Sequence, residues 1–445
     1  MRLALLSRWL LVLAVFYAPW AYGCTNYETN LGLTVILGVT LGVWFLSSLT
    51  RFHLPRISWT LLLASLAVLI LGWGMAFNGH FLHDDTHMRF IPLAHAFPRL
   101  PGSYDKFLSM TMMWRATVFI GVIWMMSDVS QDETWRKRLL MAVALAGISI
   151  AFWGLLQRAL GAPSMFWSHQ RHGTNFFATF RYHANAGAYL NLVLPIVAGL
   201  LIHALQRAQK HGQRALWGGG LILMIVAVVI NTSRGGGVVA GLICLAFIVW
   251  QRKALWKLFG RARLWMQILI LVFGIGAIST AIMSAKVEKI LQRWEDLPEQ
   301  METLSNRAPA FQAWVHVLPD SGWFGTGPGT FRAVSSYYRS FGGPDVEKYW
   351  WMQAHQDYLQ TVIEWGYVGA FFLAFIFFGG ISILLRYLWR APDGSSNSML
   401  AGCLCLALFG VALHAMWDFP LQIGSIQLYT ALFLGISWGN VFHRS

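Results

Sequence analysis

Residues 217–250 read WGGGLILMIVAVVINTSRGGGVVAGLICLAFIVW. Two apolar runs, 217–231 and 236–250, flank the polar turn Asn231-Thr232-Ser233-Arg234-Gly235-Gly236-Gly237. Continuous apolar runs with a single charge between them read as a pair of membrane-spanning helices. So short a connection leaves Arg234 at a membrane boundary. A charge at a span end is costly unless it has a task. The glycines allow a ligand close to the backbone, and the amides that open the next helix favour an anion. The guanidinium offers a planar fork to phosphate oxygens. The plainer alternative is a snorkelling arginine that only ends a helix.

The same reading, carried outward, gives about twelve spans: 3–22, 32–50, 59–77, 111–127, 139–157, 185–205, 217–231, 236–250, 264–284, 357–385, 398–416 and 422–441. Composition agrees. Of 445 residues, 56% are hydrophobic and 12% charged, where a soluble protein would carry about 25% charged. The expected fold is therefore an all-α polytopic membrane domain. The net charge of +14 does not point to nucleic acid, because the basic residues lie in short loops between spans. Anionic lipid head groups and phosphates are the expected partners. Basic clusters such as Arg136-Lys137-Arg138, Arg207 with Lys210 and Arg214, and Arg252 with Lys253 and Lys257 occupy alternate loops. The positive-inside rule makes those loops, and both termini, cytoplasmic. Met1 to Gly23 reads as the first span, not as a signal peptide, since Tyr22 is bulky for a cleavage site. Four cysteines, with Cys24 alone on the outer side, indicate no disulfide framework.

The opposite side carries the longer loops. Residues 78–110 hold His80, His83, Asp84, Asp85, His87 and Arg89. This set is metal-friendly, but its spacing matches no strong zinc pattern and no metal site is assigned. Residues 158–184 end in Phe180-Arg181-Tyr182-His183. The longest loop divides the chain into 1–284, 285–354 and 355–445. Within it, Lys286 to Trp294 has helical spacing. Ser305 can cap a second helix through Arg307, Phe311, Trp314 and Val317, ended by Asp320-Ser321-Gly322. The turn-rich Gly325-Thr326-Gly327-Pro328-Gly329-Thr330-Phe331 follows. It is not a Walker loop, since no Gly-Lys-Ser/Thr is present. We expect a small cap of amphipathic helices on the membrane surface.

Polar residues at span ends supply the candidate chemistry. His355, in Gln353-Ala354-His355-Gln356-Asp357-Tyr358, can take a proton near neutral pH; alternatively it bonds backbone at a helix start. Asp418 could orient a histidine or an arginine, or cap the last helix. Asp357 and Tyr182 are possible supporting groups. Arg307 and Arg181 are phosphate-binding candidates or solvated surface residues. Arg115, inside the fourth span, faces a cavity or pairs with an acid.

In order, spacing and common side, these motifs resemble the bacterial O-antigen ligase and polymerase superfamily. The carrying features are Ser233-Arg234-Gly235, Arg307, the Gly325–Phe331 turn, His355-Gln356-Asp357-Tyr358-Leu359 with Glu364-Trp365-Gly366, Ala18–Gly23 and Asp418-Phe419-Pro420. The resemblance implies a membrane-embedded, GT-C-like glycosyltransferase of the bacterial inner membrane, working on the periplasmic face. Its donor would be a glycan on undecaprenyl diphosphate. The acceptor would be lipid A–core for a ligase, another lipid-linked repeat for a polymerase, or a protein hydroxyl in related members. Arg234 and Arg307 would bind the diphosphate and His355 would activate the acceptor. No metal, nucleotide or other cofactor is implied. One departure stands out: many members have Asn after the histidine, where this chain has Gln356. A transporter or flippase of lipid-linked sugar is the alternative of a different class. It should place ionisable groups near mid-membrane and carry internal repeats, and no repeat is evident.

Overall fold

The computed structural model describes all residues except Met1, His53, Asp85, Met88, His95, 168–174, Ala208, 262–303, 391–394 and 443–445. The described chain is almost entirely helical. The helices are α1 (Arg2–Trp20), α2 (Tyr27–Thr50), α3 (Trp59–Phe77), α4 (Lys106–Val129), α5 (Glu133–Ala159), α6 (His183–Gln206), α7 (His211–Ile230) and α8 (Arg234–Arg261). Then follow α9 (Leu304–Val315), α10 (Leu318–Ser321), α11 (Phe331–Tyr338), α12 (Pro344–Glu347), α13 (Asp357–Arg390), α14 (Ser396–His414) and α15 (Gly424–Trp438). Among the described residues, 10 helices, α1 to α8 with α13 and α14, are long and apolar enough to cross a membrane. The protein is an all-α polytopic membrane protein. The expected span at 264–284 and the expected helix at Lys286–Trp294 lie outside the described residues.

Local sequence sets several boundaries. Asp105 caps α4 by accepting from Leu108 N at 2.8 Å, and Asp132 caps α5 through Thr134 N and Trp135 N. Such caps satisfy amides that a helix start leaves unpaired. Asp132 also pairs with Arg8 at 3.0 Å, which braces α1 to α5.

Two helices form the interior. α6 buries 18 of its 24 residues, and α15 buries 14 of its 15, so each is apolar all round and enclosed by neighbours. At about 1.5 Å per residue, α15 is near 22 Å long, short of the ~30 Å hydrocarbon thickness. The sequence reading of 422–441 as a full span therefore overran it at both ends. Tyr189 of α6 donates to the hydroxyl of Tyr429 on α15 at 3.0 Å, and Tyr429 donates to Val15 O of α1 at 3.0 Å. These bonds satisfy two buried phenols and tie three helices together.

The segment between α8 and α13 has a small core, built from Trp314, Val317, Phe331, Val334, Val346 and Ala354 and shared with Ile363 of α13. Its first described helix is traced from Leu304, at the edge of the described residues. That helix ends at Val315; the one-turn α10 follows, and Gly322 (φ +61°) closes it. The 78–110 segment contains a hairpin that sequence reading missed. Strands β1 (Phe81–Asp84) and β2 (Arg89–Pro92) pair antiparallel, with Leu82 opposite Ile91.

Candidate active site

The long helix α13 is not continuous. Gly366 has φ +63° and ψ −176°, a conformation essentially reserved for glycine. The glycine-rich turn docks into this break. Thr326 N donates to Ile363 O at 2.9 Å, Gly327 N to Glu364 O at 2.9 Å, and Val368 N to Trp323 O at 3.1 Å. A Cβ on Gly366 would stand 2.3 Å from Trp323 O, so no larger residue fits there. The buried Glu364 side chain completes the joint. One oxygen accepts from Gly329 N at 3.0 Å; the other accepts from Phe331 N at 3.2 Å and from Gln360 Nε2 at 3.1 Å. Tyr104 N also donates to Thr326 O at 2.8 Å. The turn is thus a structural staple between the loop and the spans.

The staple holds the start of α13, where His355 sits. His355 has φ +54°, unusual for a residue with a Cβ. Its ring stands edge-on to Phe419, with centroids 4.7 Å apart, and to Trp351 at 5.6 Å. Its Nδ1 lies 3.4 Å from Asp418 Oδ1. Asp418 is only 4% exposed, and the same oxygen accepts from Phe419 N at 3.0 Å. Arg307, from α9, reaches the same turn. Its Nη1 donates to Trp417 O, and its Nη2 donates to the Tyr182 hydroxyl at 3.3 Å. The Tyr182 ring stacks on Phe419 at 6.1 Å and 7°. Burial pushes the Asp418 carboxyl up, but His355, Arg307 and His414 outweigh it and leave it below its ordinary value. Burial and the Asp418 charge raise the Tyr182 phenol, which stays neutral.

His355, Asp418, Arg307 and Tyr182 therefore meet, although they are far apart in sequence. Asp357 does not join them. Its carboxylate accepts from Leu421 N at 2.8 Å and Gln422 Nε2 at 3.1 Å, and its amide donates to Ala415 O at 3.0 Å. It holds the 415–422 turn in place and so supports Asp418 at one remove. Gln356 caps α13 by accepting from Leu359 N at 3.1 Å. That is a role asparagine also fills well, so the departure at this position keeps its local function. Arg181 holds its guanidinium over the Tyr22 ring at 5.6 Å. It is not part of the His355 cluster.

Arg234 opens α8 at the lip of a cavity of about 400 Å³ walled by Leu194, Val228, Val238, Ala240 and Cys244. Its neighbour Gly235 packs on the Trp417 indole, where an added Cβ would come within 2.6 Å of Nε1. Arg234 is thus beside the turn that carries Asp418. Asn191 Nδ2 donates to Gly236 O at 2.8 Å, and Asn231 Nδ2 to His183 O at 2.9 Å, fixing the turn to α6.

The histidines of the 78–110 segment separate. His80 Nε2 is 3.3 Å from Phe97 O, the His83 amide donates to Asp105 at 2.9 Å, and His87 Nδ1 is 2.8 Å from Asp84. Among the described residues no group of three metal-binding side chains forms. Sequence reasoning missed Phe419, Trp351 and the buried His414. Only Phe419 carried a signal, as the neighbour of Asp418.

A helical membrane protein with a histidine–carboxylate pair, two arginines and an apolar cavity beside the same turn is the class this arrangement defines. Residues 219–374 match the family model described as O-Antigen ligase. The match supports O-antigen ligase- or polymerase-type function. No curated protein matches the chain. The matched range includes Arg234, Arg307, His355 and the staple; Arg181, Tyr182 and Asp418 lie outside it.

Proposed function

We propose that this protein transfers a glycan from undecaprenyl diphosphate to a hydroxyl acceptor at the periplasmic face of the inner membrane, as an O-antigen ligase acting on lipid A–core. The observation that carries this reading is the Asp418–His355 pair facing Arg307 beside the Arg234 cavity. With Nδ1 turned to Asp418, Nε2 of His355 is the atom to take the acceptor proton. The freed oxygen attacks the anomeric carbon as the bond to the diphosphate breaks. The leaving diphosphate keeps the electron pair and stays on its lipid. Arg234 and Arg307 stabilise that growing charge. Attack opposite the leaving group inverts the anomeric centre. The apolar cavity below Arg234 suits the carrier's hydrocarbon chain, and neither step needs a metal.

The test is the glycan profile of a deletion strain complemented with wild type or His355→Ala. The expected result is full-length polymer left on the lipid carrier in the deletion and in the variant. Single repeats attached to the acceptor would instead mean a polymerase. A wild-type profile with His355→Ala would remove the base role.

A further inference from the structure

A second cavity, of about 380 Å³, lies between α4, α13 and α15. Its walls are apolar, including Phe119, Ile123, Leu373 and Phe377. It follows α13 from Tyr358, at the helix start, to Phe378. Its wall on the unbroken α4, Met112 to Ile123, is roughly 16 Å long at about 1.5 Å per residue, the depth of one leaflet of a hydrocarbon core ~30 Å thick. The polar groups are confined to the end nearest the active site.

The chief of these is Arg115. Its Nη2 donates to Gln422 O at 2.6 Å. Its Nε is buried with no partner, and among the described residues no carboxylate pairs with it. The guanidinium borders Phe119, 5.9 Å from the ring centroid. Gln427 Oε1 and Thr430 Oγ1, which line the same end, are also buried without partners. A cation left inside a span without a counter-charge is costly and marks a ligand path. An apolar groove with one unneutralised cation at its head is complementary to a lipid with an anionic head group.

The position narrows the occupant. Gln422, which receives Arg115, donates to Asp357, and Asp357 holds the turn bearing Asp418. The head of this groove therefore adjoins the His355 site. It lies between α4, α13 and α15, whereas the Arg234 cavity involves α6, α7 and α8. A structural phospholipid would have no need to end at the reacting groups.

We propose that the Arg115 groove is a second lipid site, which seats the hydrocarbon chain of a lipid-anchored acceptor and pairs Arg115 with its head-group phosphate. This rests on the transfer reading above only for the word acceptor. The two lipid substrates would then enter from different walls of the bundle and meet at His355.

Binding can be read without turnover. The purified full-length protein is loaded with phosphatidylglycerol or phosphatidylcholine, challenged with bis-phosphorylated lipid A, and the retained lipid is measured by native mass spectrometry. Wild type should prefer phosphatidylglycerol, and lipid A should displace it. Arg115→Gln should lower lipid A retention at least tenfold. Ala374→Trp, which fills the groove from another element, should do the same if it keeps the wild-type melting temperature. Arg234→Ala should retain lipid A normally. Equal retention by wild type and Arg115→Gln would overturn the proposal, as would phosphatidylglycerol that lipid A cannot displace. A protein that binds lipid A through Arg115 yet transfers nothing would sink the transferase reading and leave this site standing.

Discussion

Glu364→Gln isolates the joint between the loop and the membrane helices. The change is nearly isosteric, yet the wild-type side chain faces three donors and no acceptor: Gly329 N, Phe331 N and Gln360 Nε2. A carboxylate can accept from all three, whereas a glutamine must point its own NH2 at one of them. In the better orientation it keeps the pair from Phe331 and Gln360 and leaves Gly329 N–H unpaired. A buried N–H left without a partner costs about 1–3 kcal/mol, which is roughly a 5- to 150-fold rise in local opening. Hydrogen exchange resolved by mass spectrometry reads that quantity directly on peptides spanning 325–335. The expected result is faster exchange there by about that factor, with α6 and α15 unchanged. Transfer should fall as well, because the staple positions the start of α13 and hence His355. Unchanged exchange in 325–335 would refute the reasoning, since it would mean the three bonds do not hold the turn.

Other expectations follow from the same geometry. His355→Ala should lower the single-turnover transfer rate by about 10²- to 10⁴-fold, the usual worth of a positioned base, while the protein still inserts; a loss under tenfold argues against the role. Arg307→Lys should be defective, because a single ammonium cannot serve both Trp417 O and Tyr182 as the fork does; full activity would mean that charge alone suffices. Asp418 has a lowered folded-state value, so its ionised form contributes stability above the ordinary carboxylate range of about 4 and loses it as pH falls through the folded value. Thermal melting of wild type should therefore drop more between pH 5 and pH 3 than that of Asp418→Asn, and parallel curves would contradict this. Chelators should leave transfer intact; loss restored by added metal would bring the 78–110 histidines into the reaction.

The spans were legible because hydropathy is a local property. A run of apolar residues names a membrane helix whatever its neighbours do, and eleven of the twelve expected spans coincide with described helices. The failures were tertiary. α15 is shorter than its apolar run suggested because the run is divided into the turn Pro420–Gln422, the helix Gly424–Trp438 and the turn Asn440–Phe442. Nothing local foretold the break at Gly366, because it is the docked turn from 323–330 that meets its positive φ. Arg234, Arg307 and His355 could be singled out as candidates because charged and titratable groups at span ends, or in a loop rich in apolar residues, are conspicuous. Their mutual arrangement was not readable, since Asp418 and Phe419 bring it about from a turn that is remote in sequence. Asp357 shows the limit most clearly: two positions from His355, it turns away to hold the 415–422 turn.

That division of labour explains why so many polar residues surround one histidine. The three carboxylates near the start of α13 have separate tasks, and their bonds do not overlap. Glu364 fixes the glycine-rich turn to the helix break, Asp357 fixes the 415–422 turn to the helix start, and Asp418 alone faces His355. The first two act on backbone amides, so each converts a loop into a rigid extension of the spans. Loops are the usual carriers of function but poor at holding it still. Here the histidine stands at the junction of two pinned loops, and its neighbours Trp351 and Phe419 each come from one of them. Loss of either clamp should therefore disturb His355 from a different side. Asp357→Asn keeps one acceptor and should impair transfer less than Asp357→Ala, which frees both Leu421 N and Gln422. Equal activity in the two variants would show that the 415–422 turn holds its place without Asp357.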